Sequence, residues 1–288
     1  EAEGCMNSED PVNLSTGNFI YEHEDLKVAG EIPLSFHRYY NSKDSRTGVL
    51  GRCFLHNYQI ALEKEADGTI GVRLADGQIN YHDKKGQEYI ARNTALEFLK
   101  ETEQGYILVH PGQENISFDQ EGKMLRKEDR NGRGISFFYC EDGKLKKAET
   151  DNGSSLTYCY NQRGQLEEVK DWLGTTKIAM DEAGRIASVT DPYGKTVGYE
   201  WGSMGKRTAV LYPDGKKTVY EYNEAMQLTA MKIFSGEMRE NTIRYSYDEA
   251  GRLIGKQLPG RNYTDYRYNA AGKLEEILHK GADKSAVA

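Results

Sequence analysis

Tyr245-Ser246-Tyr247-Asp248-Glu249-Ala250-Gly251-Arg252-Leu253 decides how the rest of this chain is read. Aromatic residues two apart place both rings on one face of a strand, because side chains alternate across the pleat. Asp or Asn followed closely by Gly supplies the side-chain cap and the positive φ that a tight reversal needs. Leu253, two places beyond the glycine, returns to the face of the rings, where burying such a side chain is worth roughly 1.5 to 3 kcal/mol. The stretch therefore reads as one β-hairpin.

A near copy follows at Tyr266 to Leu274, and weaker copies stand at Tyr158 to Leu166, Ile178 to Ile186 and Tyr220 to Leu228. Their turn glycines form a ladder, Gly122, Gly143, Gly164, Gly184, Gly205, Gly251 and Gly272, with Met226 at the one rung that lacks glycine. The residue two places on is apolar at Met124, Leu145, Leu166, Ile186, Leu228, Leu253 and Leu274; Arg207 breaks the rule. A second ladder runs about ten residues out of phase: Gly132, Gly153, Gly174, Gly194, Gly215, Gly236, Gly260 and Gly281, in steps of 21, 21, 20, 21, 21, 24 and 21. Two turns per period imply two strands per period. A unit near 21 residues cannot bury its own apolar face, so the array is stable only as a stack. The expected fold is all-β: stacked antiparallel β-hairpins joined to an irregular β cap.

Composition agrees. The 288 residues include 30 Gly, 20 Tyr and only 38% apolar residues, which favours short strands and turns. The net charge of −7, with Lys123, Lys144, Arg185, Lys206, Arg252 and Lys273 set singly after turn glycines, argues against nucleic acid, whose phosphates want a concentrated basic patch. That cationic column reads as solvated turns, or as an anion-binding stripe if the units stack in register. No run of about 18 apolar residues is present to span a membrane as a helix. Cys5, Cys53, Cys140 and Cys159 are too few and too irregular for a disulfide scaffold, and a Cys140–Cys159 bridge between adjacent units stays open.

Before residue 116 the period fails. Tyr21 to Ala29 and Ile32 to Asn41 read as strands, the second half-exposed by its alternation, and Ser42 to Gly51 as a loop. Tyr58 to Leu62, Ile70 to Leu74, Ile79 to His82, Glu97 to Lys100 and Tyr106 to His110 follow as strands parted by hairpin signals such as Asp67-Gly68 and Asp76-Gly77. We divide the chain into a cap, 1–112, and about eight repeats, 113–288, expected to form one continuous sheet because no flexible linker separates them.

No catalytic, metal or cofactor constellation emerges from the motifs. The six histidines lack metal-site spacing and none adjoins a nucleophile turn; a site in the cap would need His37 or His56 to meet a carboxylate and a nucleophile. Asp129-Arg130-Asn131-Gly132 has the oxygen pattern of a calcium loop but lacks its downstream ligands, so a type I′ turn is expected. The candidate surface is aromatic: Tyr158, Tyr199, Tyr220, Tyr245 and Tyr266 align on stacking, as do Tyr160, Trp201, Tyr222, Tyr247 and Tyr268. Exposed, the first column would bind sugar rings or a partner protein. Buried, both columns form the core between hairpins, with ring inside and hydroxyl wet. Gly143, Gly164, Gly184, Gly251 and Gly272 are the structural turn residues.

These features resemble the Rhs family, also called YD-repeat proteins. Tyr247-Asp248 is the full tyrosine-aspartate pair, and Tyr160-Asn161, Tyr222-Asn223 and Tyr268-Asn269 carry its Asn variant. Asp10-Pro11-Val12, Ser15-Thr16-Gly17-Asn18-Phe19 and Arg38-Tyr39-Tyr40-Asn41-Ser42 resemble the opening of the domain that precedes the repeats in bacterial members. The resemblance implies a hairpin array that spirals into a hollow shell around a variable C-terminal toxin. It also implies a secreted or cell-surface bacterial protein, with toxin cargo or secretion machinery as partner and no enzymatic role for the shell itself. The alternative is a secreted or cell-surface module binding carbohydrate or protein through the tyrosine face. Asp191-Pro192-Tyr193-Gly194 resembles the end of the family's self-cleavage motif but sits mid-array, where Asp171 to Gly174 and Tyr212 to Gly215 make ordinary turns, so a turn is expected there and no catalytic role is carried over.

Overall fold

The computed structural model describes residues 12–14, 17–93, 96–112, 114–260 and 262–281. Asp10-Pro11, Ser15-Thr16 and Cys5 from the motifs above lie outside them. The described residues form strands and turns, without helix. β1 (Ile20–Val28), β2 (Leu34–Asn41) and β5 (Phe54–His56) make a small antiparallel sheet, and β3 (Thr47–Gly48) pairs with β4 (Gly51–Arg52) inside the stretch expected as loop. From β6 (Ala61–Lys64) to β27 (Leu274–Lys280) one antiparallel ribbon of 22 strands runs in sequence order. It crosses residue 112 without a break, since Gly105–Val109 pairs with Asn115–Phe118.

Each repeat is built as its text dictates. In the hairpin at Gly164 the Asn161 side-chain oxygen accepts the N–H groups of Arg163 and Gln165 at 2.9 and 3.0 Å, and Gly164 takes φ 74°. Asp248 and Asn269 cap their turns the same way. Past the turn the register slips by one residue, so that Tyr160 faces Leu166, Trp201 faces Arg207 and Tyr247 faces Leu253. That bulge puts the aromatic residue and the residue after the turn side by side on the inner face.

The turn at Asp129 corrects the type I′ expectation. Type I′ needs positive φ at both central residues. Here only Gly132, at φ 78°, is left-handed, and Asp129 accepts from the N–H of Asn131 and Arg133, the loop geometry of the other units.

Met226 stands at the glycine rung with φ 61°. A side chain there costs roughly 1 to 2 kcal/mol of backbone strain. Met226→Gly is therefore expected to raise stability by about 1 kcal/mol, read as a shift of the urea midpoint at unchanged slope. An unchanged or lowered midpoint would show that the Met226 side chain contributes more than the strain it carries.

The ribbon curls. Ala61 bridges to Lys123 and the Leu62 N–H donates to the Gly122 carbonyl at 2.9 Å, bringing β6 against the tip of a later hairpin. Its inner face is filled by residues 12–14 and 17–58. Phe36 packs on Tyr158, Phe54 on Tyr199 and Phe19 on Tyr220, within a single core that runs from Val12 to Tyr266.

Candidate functional site: the seat of the N-terminal segment

The two aromatic columns separate by role. Tyr158, Tyr199, Tyr220, Tyr245 and Tyr266 are 3, 6, 4, 5 and 9% exposed. Rings this deep offer no face to a sugar unless the core opens. The second column is half-buried, and its polar tips are bonded to backbone within the fold. Tyr139, Tyr160, Tyr222, Tyr247 and Tyr268 hydroxyls and the Trp201 indole N–H donate to the carbonyls of Met124, Leu145, Arg207, Leu228, Leu253 and Ile186 at 2.6 to 2.9 Å. Each bond ties one hairpin to the post-turn residue of the preceding one. The repeat thus stacks by directed hydrogen bonds as well as by apolar area.

Four members of the cationic column are engaged within the fold. Lys144, Arg185 and Arg252 lie over the rings of Tyr160, Trp201 and Tyr268 at 5.8, 5.7 and 4.7 Å, and pair with Asp142, Asp181 and Asp248 of their own turns. Lys206 donates to the Ser42 carbonyl of the N-terminal segment. Beside Lys144 and Arg163 lies an open groove of about 550 Å³, walled by Thr47, Val49 and Glu182.

Under the ribbon two guanidinium groups, Arg38 of the N-terminal segment and Arg207 of the ribbon, are buried where the two meet. β1 bulges between Glu24 and Leu26, which turns Asp25 inward as well as Leu26. Asp25 takes both Nε and Nη2 of Arg38, the latter at 2.7 Å, with the two side chains 5 and 1% exposed. Burial opposes the Arg38 charge, but the Asp25 carboxylate and the Tyr199 hydroxyl, 2.9 Å from Nη2, outweigh it and hold the guanidinium protonated. His23 nearby is kept toward neutrality by burial, against the pull of Asp25. Arg207 is fully buried, with its guanidinium carbon over the rings of Tyr21, Tyr40, Tyr220, Phe19 and Tyr199 at 4.4, 4.7, 4.9, 5.3 and 5.9 Å. This accounts for the residue that broke the repeat rule.

The other histidines do different work. His37 bonds Glu22 and Glu24 at the surface, each at 2.9 Å. His56 is buried between Phe36 and Tyr158 and accepts from the Tyr58 N–H; burial alone lowers its pKa to about 3, so it stays neutral. The described residues bring neither into a cluster with both a carboxylate and a nucleophile. The thiols of Cys53, Cys140 and Cys159 are unbridged.

A cluster that the motifs did not flag sits at the start of the ribbon. Glu97, 6% exposed, bonds His110 Nε2 at 2.8 Å and Asn80 at 2.9 Å, and lies 3.5 Å from His82 Nε2. The His110 bond, then His82, depresses the Glu97 pKa, and Glu97 raises that of His110 against burial and the Lys127 charge. A raised histidine pKa adds stability below its unfolded value near 6.5, lost as pH climbs through the folded value. A depressed glutamate adds stability above its unfolded value near 4.3, lost as pH falls through the folded one. The pair should contribute most between about pH 4.5 and 6.5. The loss of melting temperature in His110→Gln is expected to be greatest near pH 5.5 and to shrink by pH 9; a pH-independent loss would show that the charge pair is not the cause.

A hairpin ribbon wound with its apolar face inward over its own N-terminal segment defines the class, a YD-repeat shell module. Residues 88–287 match the Teneurin YD-shell model, and the chain belongs to that family; residues 9–87 match a domain of unknown function, DUF6531. Among curated proteins it is similar to the tRNA nuclease WapA of Bacillus subtilis (strain 168), 30% identical over 273 residues that make up 93% of this chain and 12% of that protein. It is also similar to the double-stranded DNA deaminase toxin A of Burkholderia cenocepacia (strain H111), 31% identical over 103 residues, 36% of this chain and 7% of the relative. The crystal structure of TcdB2-TccC3-TEV aligns with 92% of this chain and 19% of its own, at 12% identity and a TM-score of 0.44.

Proposed function

We propose that this chain is a non-enzymatic part of the shell of a secreted or cell-surface bacterial toxin protein, helping to enclose or present an effector that follows it. The observation that carries this reading is the N-terminal segment seated on the inner face. The ribbon buries Tyr158, Tyr199 and Tyr220 against residues of the same chain, and presents turns and ion pairs outward. Support comes from WapA and the deaminase toxin, both named as toxic or nucleolytic proteins and both far longer than this chain. Their activities then belong to other parts of those proteins, and the partner here is the effector or the machinery that exports it.

The test uses the complete gene product. Limited proteolysis is expected to leave the region beyond the ribbon intact as long as the repeats are folded, and to digest it once urea opens them. Free digestion of that region with the repeats still folded would refute enclosure. A gene that stops near Ala288 would point instead to a binding module.

A further inference from the structure

A repeat array sets its own N-terminal segment a problem of register. Several contacts that seat the N-terminal segment are of a kind every unit offers. The Leu166 N–H donates to the Val49 carbonyl and the Leu253 N–H to the Leu14 carbonyl, at 2.8 and 3.0 Å, and both donors are the same post-turn position of their hairpins. Gly51 packs so closely that a Cβ on it would stand 2.4 Å from the Gly184 carbonyl, yet Gly164 and Gly205 hold the same turn position in neighbouring units. A shift by one unit, two strands or about 10 Å along the ribbon, would recover contacts of all these types.

One unit is different. At the post-turn position it carries Arg207 where the seven others carry Leu, Ile or Met, and at the second aromatic column it carries Trp201 where five others carry Tyr. Three of the five rings around Arg207, those of Phe19, Tyr21 and Tyr40, come from the N-terminal segment. Tyr40 also packs on Trp201 and takes the Arg207 N–H at 3.4 Å. None of the three guanidinium nitrogens has a hydrogen-bond partner among the described residues. Among the described residues it is ring faces that meet the charge, and a buried charge with nothing to answer it is expensive.

We propose that Arg207 is the register key of the fold: its guanidinium marks the one unit on which Phe19, Tyr21 and Tyr40 can close, and so selects the seat of the N-terminal segment from eight similar hairpins. In the correct register the rings meet a cation. In any shifted register they meet an aliphatic side chain, and Arg207 is left buried without them. The role parallels a single buried polar residue that sets register in a coiled coil at no gain in stability.

Two variants and one measurement test this. Arg207→Met keeps the length and removes the charge; Arg207→Lys keeps a charge. Hydrogen exchange by mass spectrometry is followed separately in peptides from residues 17–58 and from the ribbon. In Arg207→Met the N-terminal peptides are expected to lose protection by about tenfold or to split into two populations, with ribbon peptides unchanged. Arg207→Lys is expected to keep one protected population. The proposal is overturned if Arg207→Met keeps a single, fully protected N-terminal population, or if both variants lose protection alike. It is equally overturned if Arg207→Met loses protection in segment and ribbon together, because the residue is then a strut of the whole fold.

Discussion

Asp25→Ala is expected to cost about 3 to 5 kcal/mol, because it breaks a buried ion pair by removing one partner. The carboxylate is the partner of Arg38 at both Nε and Nη2, and the two side chains are 5 and 1% exposed. Without it a guanidinium stays buried with no counter-ion, left to the Tyr199 hydroxyl and the ring faces of Phe54 and Tyr199, in a core that already contains Arg207. Removing both partners is a milder change. Asp25→Ala with Arg38→Met should recover much of the loss, because the penalty comes from the orphaned charge and not from the missing attraction. Urea denaturation of the wild type, the single variants and the double variant measures this. A single-variant cost under about 1 kcal/mol would place the pair in the class of exposed ion pairs and contradict its burial.

Phe36→Ala is expected to cost about 3 to 5 kcal/mol by transfer and cavity together. Phe36 is fully buried on β2, with its ring centroid 5.7 Å from His56 and 6.1 Å from Tyr158, at the joint between the N-terminal segment and the ribbon. The same denaturation experiment reads the cost. If the segment were loosely docked, the ring would be replaced by solvent or by neighbours at under 1.5 kcal/mol, the range of well-tolerated core swaps. That outcome would remove the structural basis for the seat.

The ribbon was legible from sequence because its determinants are local. Gly251 takes φ 81° and Asp248 accepts from the Arg252 N–H because a tight turn asks for both within five residues. The alternation Tyr245, Tyr247 likewise needs only the pleat to bring both rings to one face. Even the anomaly at Met226 was visible as a broken period, although its positive φ was not. The turn type at Asp129 was misread for a reason equally local: Asp, Asn and Gly suit both turn families, and the choice rests on whether one residue or two become left-handed.

The site was much less legible. Asp25 faces the core only because β1 bulges there, and nothing in Glu24-Asp25-Leu26 announces a bulge. Glu97, His82 and His110 lie 13 to 28 positions apart in the chain and converge because the ribbon folds three hairpins side by side. The burial of Tyr158, Tyr199 and Tyr220 depended on what would cover them, and the cover is Phe36, Phe54 and Phe19, more than a hundred residues away.

Arg207 draws the line between the two kinds of information. The chain text alone established an all-β stack of hairpins, its period, its turns and its apolar face, since each follows from the stereochemistry of a few neighbouring residues. Whether a charged side chain on that apolar face is a fault or a fitted part lay beyond any local rule. It was decided when Phe19, Tyr21 and Tyr40 came to rest around it, because an aromatic quadrupole answers a cation only when the chain has brought ring and charge into contact.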